Sequence, residues 1–325
     1  AGGLFVGELN LNNASPFPQQ DLYTKVMGEV YLREFWSVME TIDANEIDNT
    51  GEIPQEVFDK LASIGAFALK IPHKYGGREL SQMSYAKGAM ASGVFCGNIA
   101  ALLSAHQSIG VPQPLLMYGT DEQKEKYLPM FGKGSVSAFA LTEVGVGSDP
   151  SKLTTKAELT EDGEHYIING EKLWCTNGVK ADVIIVMART GKKITAFIVE
   201  MDTPGVELTH RSRFMGLKAL YNGVVKFTDV KIPKENIVLA EGKGMRVALN
   251  TLNIGRLTIP AICVGASKYC LTTIREWTSK RSQWGQAIGK HQAITDKLAR
   301  MAADTFAMEA MVELCSNLVD RKNCD

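Results

Sequence analysis

Apolar residues recur with helical spacing in the first and last parts of the chain. Near the beginning, Pro54 suits the first position of a helix and precedes an apolar stripe at helical spacing, formed by Val57, Phe58, Leu61 and Ile64. Near the end, residues 245–280 form one long apolar stretch. A second stretch follows it, with apolar residues three, four and seven positions apart. Both ends of the chain are therefore predicted to be helical.

The middle of the chain changes to short runs of β-branched and aromatic residues. These runs are Tyr166-Ile-Ile168, Val183–Met187, Ile194–Val199 and Val224–Phe227. Asp162-Gly163 and Asn169-Gly170 are predicted to form turns beside them. Because the order is helical, β, helical, rather than strand and helix in alternation, a doubly wound parallel sheet is excluded.

The predicted fold class is therefore α+β, with three successive parts. We expect an N-terminal α-helical domain at 1–136, a middle β domain at 137–241, and the start of a C-terminal α-helical bundle at 242–325. No Gly-x-Gly-x-x-Gly motif follows a strand, and Gly145-Val-Gly147 is too short for a phosphate-binding loop. The pattern therefore argues against a Rossmann dehydrogenase and a P-loop ATPase.

Composition and charge narrow the function classes. Hydrophobic residues make up 45% of the 325 positions and charged residues 22%, which is typical of a globular protein. The 35 basic and 36 acidic residues give a net charge of −1, so we expect no nucleic-acid partner. No uninterrupted apolar run approaches the roughly 20 residues of a spanning helix, so no transmembrane segment is expected. No signal peptide is visible at the start.

The six cysteines and five histidines are scattered along the chain rather than grouped in close pairs. Zinc sites usually need such pairs, so no metal site is expected. The simplest interpretation of each cysteine is a free, buried, reduced thiol.

Two segments resemble the acyl-CoA dehydrogenase family. They are Ala138–Asp149, which contains Thr-Glu-Val-Gly-Val-Gly-Ser-Asp, and Tyr166–Gly178, which contains Leu-Trp-Cys-Thr-Asn-Gly. Four further segments fit the family in the same order, namely Ile71–Gly77, Tyr118–Pro129, Phe227–Pro233 and Lys280–Gln286. The resemblance covers nearly the whole chain. Ser104-Ala-His-Gln-Ser108 is most similar to the very-long-chain branch.

This resemblance implies a reaction and its partners. Members of the family use FAD to oxidise a fatty acyl-CoA to the trans-2-enoyl-CoA in β-oxidation, and pass the electrons to an electron-transfer flavoprotein. They are homodimers or dimers of dimers. An acyl-CoA oxidase and a non-catalytic family member with an assembly or scaffold role are the alternatives. A bacterial cytoplasm and a mitochondrial matrix are equally compatible with the sequence.

The resemblance also assigns cofactor contacts within the β region. Phe139, Leu141 and Thr142 are expected to line the flavin ring, with Thr142 near its pyrimidine edge. Trp174 is expected to pack on the ring, and Thr176 to reach towards its N5 atom. Without the resemblance, Trp174 and Thr176 would simply be two inward positions of one strand.

Further contacts are implied outside that region. Ser148 is expected to contact both the FAD phosphate region and the CoA arm of the substrate, and Asn253 and Arg256 are expected near the CoA. Arg281, Trp284 and Gln292 match residues that contact the FAD of the neighbouring subunit, although Arg281 could also be a solvated helix end.

Two departures from the family pattern affect these expectations. Where the family usually has Ser, then Asp or Asn, then Thr, this chain has Leu220-Tyr221-Asn222. We therefore transfer no cofactor or partner contact to this segment. The family's glutamate base lies either at the position of Gly255 or at one that would follow Asp325. We therefore expect a chain that is C-terminally incomplete, with no catalytic base in it, and with room for an acyl chain beside Gly255.

Overall fold

The computed structural model describes residues 7, 8, 12 and 14–321, and helices form the first part of it. The helices are α1 (Leu22–Met39), α2 (Ala44–Thr50), α3 (Gln55–Ser63), α4 (Gln82–Phe95), α5 (Gly97–Ser104), α6 (Pro112–Tyr118) and α7 (Asp121–Gly132). A π-helical segment, Ala105–Ile109, continues directly from α5. Helix α7 starts with a capping box, in which the Thr120 hydroxyl accepts from the Gln123 amide and the Gln123 side chain accepts from the Thr120 amide. The helical prediction for this region is confirmed.

Seven strands follow and form one mixed sheet. They are β1 (Ser137–Ala140), β2 (Lys156–Leu159), β3 (His165–Cys175), β4 (Val183–Thr190), β5 (Lys193–Glu200), β6 (Val206–Arg211) and β7 (Gly223–Pro233). Their order is β1-β4-β2-β3-β7-β6, with β5 also paired to β4. Strand β4 is apolar along its length because both of its faces are buried: Ile185 belongs to one hydrophobic cluster and Ile184 to the other.

The expected turn at Asn169-Gly170 is wrong. Both residues lie inside β3, where the pairing with β7 shifts register between Ile168 and Gly170. Gly170 has φ 149°, and a Cβ there would lie 2.7 Å from the Thr155 Cα atom. The Asn-Gly pair therefore serves a β-bulge that lets a neighbouring segment approach closely, and not a chain reversal.

Two long helices and a short hairpin complete the chain. They are α8 (Gly244–Lys280), the strands β8 (Ser282–Gln283) and β9 (Gln286–Ala287), and α9 (Gln292–Asp320). Helix α8 continues through Pro260. By length and composition α8 could cross a membrane, a criterion that core helices of soluble proteins also meet. The expected absence of a transmembrane segment therefore stays a prediction.

The chain separates into two compact units. Among the described residues, one contains those up to 36, 80–95 and 257–321, and the other contains 37–79 and 96–256. In the first unit, helices α4 and α8 approach closely at two glycines: a Cβ on Gly93 would lie 2.2 Å from the Ile262 carbonyl oxygen, and one on Gly265 only 1.9 Å from that of Met90. The three-domain division drawn from the sequence stays a prediction.

Among the described residues no cysteine forms a disulfide, but not all of the thiols are buried. Cys96 and Cys175 are buried, whereas Cys263 and Cys270 are exposed on α8, which contradicts the expectation for those two thiols. Cys324 lies outside the described residues. In the part of the chain that the structure describes, no three His, Cys, Asp or Glu side chains form a group that could hold a metal ion.

Candidate functional site

A cleft in the second unit brings together residues that are far apart in sequence. Its volume is about 170 Å³. Its lining includes five of the predicted flavin contacts, namely Phe139, Leu141, Thr142, Trp174 and Thr176. The other lining residues are Ala105, Ile109, Leu173 and Leu252. The cleft thus combines aromatic and aliphatic surfaces with two hydroxyl groups, which is the usual composition of a site for a flat organic cofactor.

Strand β3 donates hydrogen bonds to carbonyl groups of β1 and of the segment that follows it. The Leu173 amide donates to the Thr142 carbonyl oxygen at 2.8 Å, and Lys172 Nζ donates to that of Leu141 at 3.1 Å. Cys175 Sγ lies 3.7 Å from the Phe139 carbonyl oxygen and donates to it. Burial raises the pKa of the Cys175 thiol to about 12, so the thiol keeps its proton. These contacts fix the backbone of one cleft wall against the other.

A buried ion pair supports this wall from behind. Lys172 Nζ lies 2.8 Å from Glu143 Oε1, and the Lys172 side chain is fully buried. Glu143 also accepts from the amide and hydroxyl groups of Thr154 and Thr155, at 2.6–3.0 Å. Burial alone would raise the pKa of Glu143, but the hydrogen bonds from Lys172 and the two threonines outweigh it and lower the pKa to about 2. Glu143 is therefore a carboxylate committed to structure and not a free base.

Trp174 and Thr176 reach the cleft by an irregular end of β3. Trp174 has φ 54°, and the pairing with β7 shifts register between Lys172 and Cys175. The Trp174 side chain is 59% exposed, so it is not an inward strand position. Thr176 follows the last strand residue, and its Oγ1 atom accepts from Asn222 Nδ2 at 3.1 Å. The backbone distortion therefore turns both side chains towards the cleft.

The space beside Gly255 is filled by a neighbouring side chain. Gly255 is buried on α8, and a Cβ there would lie 3.1 Å from both Cδ1 and Cγ1 of Ile109. Ile109 itself lines the cleft, as does Leu252 one turn earlier on α8. The expectation of open room at Gly255 is therefore wrong, because Ile109 packs into it.

The predicted CoA contacts are exposed. Ser148 lies in the loop after Glu143 and does not line the cleft. Asn253 and Arg256 lie on α8, where Arg256 Nη1 donates to Asn253 Oδ1 at 2.7 Å. Their role towards CoA stays a prediction.

Arg281, Trp284 and Gln292 belong to the first unit, and all are exposed there. Trp284 and Gly285 form the two-residue turn of the β8–β9 hairpin with φ 50° and 79°, and Trp284 is 88% exposed. The Trp284 ring lies edge-on to His291, with centroids 5.7 Å apart. An exposed aromatic ring and an exposed guanidinium suit a contact with another molecule, and their assignment to a neighbouring subunit's cofactor stays a prediction.

The sequence did not single out four of the lining residues. Ala105 and Ile109 lie in the π-helical segment, a feature that is frequent at functional sites but that no apolar spacing predicts. Leu173 and Leu252 have ordinary strand and helix contexts. Asn222, which hydrogen-bonds to Thr176, lies in the segment that departs from the family pattern.

Comparison with known proteins identifies the family. The sequence matches the acyl-CoA dehydrogenase N-terminal domain over residues 32–135, its middle domain over 138–230, and its C-terminal domain over 242–324. The chain belongs to the acyl-CoA dehydrogenase family. The helical, β, helical order of the fold agrees with that membership, and the predicted α+β class is confirmed.

Individual relatives show the extent of the similarity. The chain is 42% identical to a probable acyl-CoA dehydrogenase, FadE10, of Mycobacterium tuberculosis, over 99% of this chain and 50% of that protein. It is 35% identical to the mitochondrial very long-chain specific acyl-CoA dehydrogenase of Rattus norvegicus, over 99% of this chain and 51% of that protein. The chain thus spans about half the length of these curated relatives.

A solved structure gives the same result. An acyl-CoA dehydrogenase from Bacillus anthracis complexed with FAD superimposes with a TM-score of 0.84 at 32% identity, over 99% of this chain and 56% of that one. Residues 104–108 suggested a similarity to the very-long-chain branch. The match to the Rattus norvegicus enzyme, which covers 99% of this chain, supports it.

Proposed function

We propose that the cleft of the second unit binds the flavin ring of FAD. The observation that carries the proposal is the convergence of Phe139, Leu141, Thr142, Trp174 and Thr176 on one cleft, although they come from two separate segments. The FAD complex of the Bacillus anthracis relative supports the same cofactor. When bound, FAD would supply the acceptor for the hydride removed from the substrate.

The residues of the cleft suit this role. Phe139 and Trp174 offer apolar faces to a flat ring, and the exposed Trp174 surface is available for stacking. Thr142 and Thr176 offer hydroxyl groups to its polar edge. Lys172 and Glu143 neutralise each other behind the wall, so they hold it in place without placing a net charge there.

For the whole protein we infer acyl-CoA dehydrogenation, with a fatty acyl-CoA as substrate and an electron-transfer flavoprotein as acceptor. The protein would assemble as a homodimer or a dimer of dimers, with Arg281, Trp284 and Gln292 contacting the partner's FAD. Ser148, Asn253 and Arg256 would contact the CoA. No carboxylate is among the described residues that line the cleft, and Glu143 is committed to Lys172 and two threonines. The proton acceptor for the substrate α-carbon must therefore come from outside the residues that form the cleft.

Flavin absorbance tests the proposal directly. The purified protein should be yellow, and should keep its visible flavin bands through gel filtration. Addition of a long-chain acyl-CoA without oxygen should bleach those bands. A colourless protein that takes up no added FAD would contradict the proposal and favour the scaffold alternative.

The electron acceptor separates the two enzyme classes. With a dehydrogenase, turnover should be fast with an artificial dye or an electron-transfer flavoprotein and slow with oxygen. Oxygen consumption that equals the rate with the dye would assign the protein to the acyl-CoA oxidases instead.

A further inference from the structure

The loop between β6 and β7 places one buried amide against the cleft. Asn222 is 3% exposed, and its Nδ2 atom donates to Thr176 Oγ1 at 3.1 Å. The Asn222 backbone is held on both sides, because its carbonyl oxygen accepts from the Ser212 amide at 2.9 Å and its amide donates to Leu220 at 2.9 Å. The position of this side chain is therefore set by the loop and not by the cleft itself.

The loop is anchored at two further points. The Ala219 amide donates to Asn98 Oδ1 at 3.0 Å. The Tyr221 hydroxyl lies within 3.3 Å of both the amide and the carbonyl oxygen of Ile53. A segment fixed in this way can hold Asn222 in one place while Thr176 faces the cleft.

The direction of the hydrogen bond determines what Thr176 can do. A hydroxyl has one hydrogen to donate and two lone pairs to accept with. Within residues 14–321, Asn222 is the only side chain that hydrogen-bonds to Thr176 Oγ1, and it does so as the donor. The Thr176 hydrogen therefore stays available for a group in the cleft. Asn222 Oδ1 is buried and has no partner among those residues. The hydrogen bond from Nδ2 to Thr176 therefore sets the orientation of the side-chain amide.

We propose that Asn222 is a positioning residue that keeps the Thr176 hydroxyl as a hydrogen-bond donor towards the flavin ring. This inference rests on the proposed function, because the acceptor for the Thr176 hydroxyl would be a ring nitrogen of FAD. It concerns the segment Leu220-Tyr221-Asn222, in which this chain departs from the family pattern. Here a buried amide, rather than a residue of that pattern, sets the orientation of the hydroxyl.

Two substitutions test the direction of the hydrogen bond. Asn222→Leu removes the donor and keeps the branched shape of the side chain, and Asn222→Asp replaces the donor by an acceptor that takes the Thr176 hydrogen away from the cleft. Both variants should bind FAD more weakly, by about threefold to tenfold in Kd, the effect of one ordinary hydrogen bond. The visible absorbance maximum of bound FAD should shift in the same direction as in Thr176→Val. Fluorescence titration and absorbance spectra measure these effects.

A double-mutant cycle separates positioning from general support of the loop. If Asn222 acts through the hydroxyl, Asn222→Leu should change neither the Kd nor the spectrum further in a Thr176→Val background. Met215→Ala is the matched control, because it changes an exposed side chain of the same loop and removes none of its anchors, and it should keep the parent spectrum.

The failures of the two proposals are distinguishable. A parent protein that binds no FAD contradicts the proposed function. A parent that binds FAD, with Asn222→Leu unchanged in Kd and spectrum, overturns the role of Asn222 and leaves the proposed function standing. An effect of Asn222→Leu that persists in the Thr176→Val background also overturns it, since the residue would then support only the loop.

Discussion

Single buried polar groups carry much of the organisation around the cleft. His106 is fully buried in the π-helical segment, where its Nε2 atom lies 2.8 Å from the Phe67 carbonyl oxygen and its Nδ1 atom accepts from the Ser137 amide at 3.0 Å. One ring nitrogen must donate and the other must accept, so the neutral ring fits both partners. Glu143 and Lys172 form the second such group. His106 and the Glu143–Lys172 pair therefore stabilise the fold, although residues of these types often take part in catalysis.

His106 should make stability fall in mild acid. Burial lowers its pKa in the folded protein from 6.5 to about 4, so between these values the unfolded chain binds the proton more readily. The contribution of neutral His106 to the free energy of unfolding is therefore complete above pH 6.5 and is lost as the pH falls towards 4. Urea unfolding at pH 7.5 and pH 5 should show a smaller decrease for His106→Gln than for the parent. Equal decreases in both proteins would show that another group accounts for the pH dependence.

Lys172→Met should be strongly destabilising. The substitution leaves the Glu143 carboxylate buried beside the threonines without its cation, and such a loss costs about 3–5 kcal/mol. The double variant Glu143→Gln/Lys172→Met should recover part of that loss, because it leaves no buried charge. The free energy of unfolding in urea measures both. A single variant as stable as the parent would mean that the pair contributes nothing to the fold.

At the scale of secondary-structure elements, close backbone approaches decide which residues can occupy key positions. Gly170 lets β3 bulge against Thr155, and Gly265 lets α8 contact α4 at the Met90 carbonyl. The irregular end of β3 is a further example, because it turns Trp174 and Thr176 into the cleft. At the two glycines, a contact from outside the element determines which residue fits.

Gly265→Ala should therefore destabilise the protein, by about 1–3 kcal/mol. The added Cβ would lie 1.9 Å from the Met90 carbonyl oxygen, so α4 and α8 would have to separate. Gly216→Ala is the control, since nothing lies within 4 Å of a Cβ at that position and its φ is not in the left-handed region. Thermal unfolding should show a lower midpoint for Gly265→Ala only. Similar midpoints for the two variants would contradict the close approach of the helices.

At the scale of the whole molecule, the two units carry different parts of the expected chemistry. The second unit contains the cleft, and the first contains the exposed hairpin with Arg281 and Trp284. In the proposed dimer, Arg281 and Trp284 would contact the FAD that is bound in the cleft of the partner subunit. Assembly and cofactor retention should then depend on each other.

Arg281→Lys tests that link. A guanidinium can make a planar two-point contact with a diphosphate, whereas an ammonium cannot. If Arg281 holds the partner's FAD, the variant should bind FAD about 10-fold to 100-fold more weakly, the range for a hydrogen bond to a charged group. Dialysis followed by flavin fluorescence measures the retained FAD. Unchanged affinity would make Arg281 a solvated residue at the end of α8.

The sequence by itself determined the order of the elements and the family. Apolar spacing separates helices from strands because each element has its own period, and the motifs from Ile71 to Gln286 name the acyl-CoA dehydrogenases. The flavin segments around Thr142 and Trp174 could be chosen in the same way, since they are contiguous in the chain.

Only the tertiary structure decided how those segments meet. The bulge at Gly170, the position of Ile109 against Gly255, and the amide of Asn222 beside Thr176 all depend on residues distant in sequence. A local pattern reports the preference of a residue for a backbone conformation, but not which side chain fills the space next to it. Packing settles that question, because a dense interior allows few arrangements of neighbouring side chains.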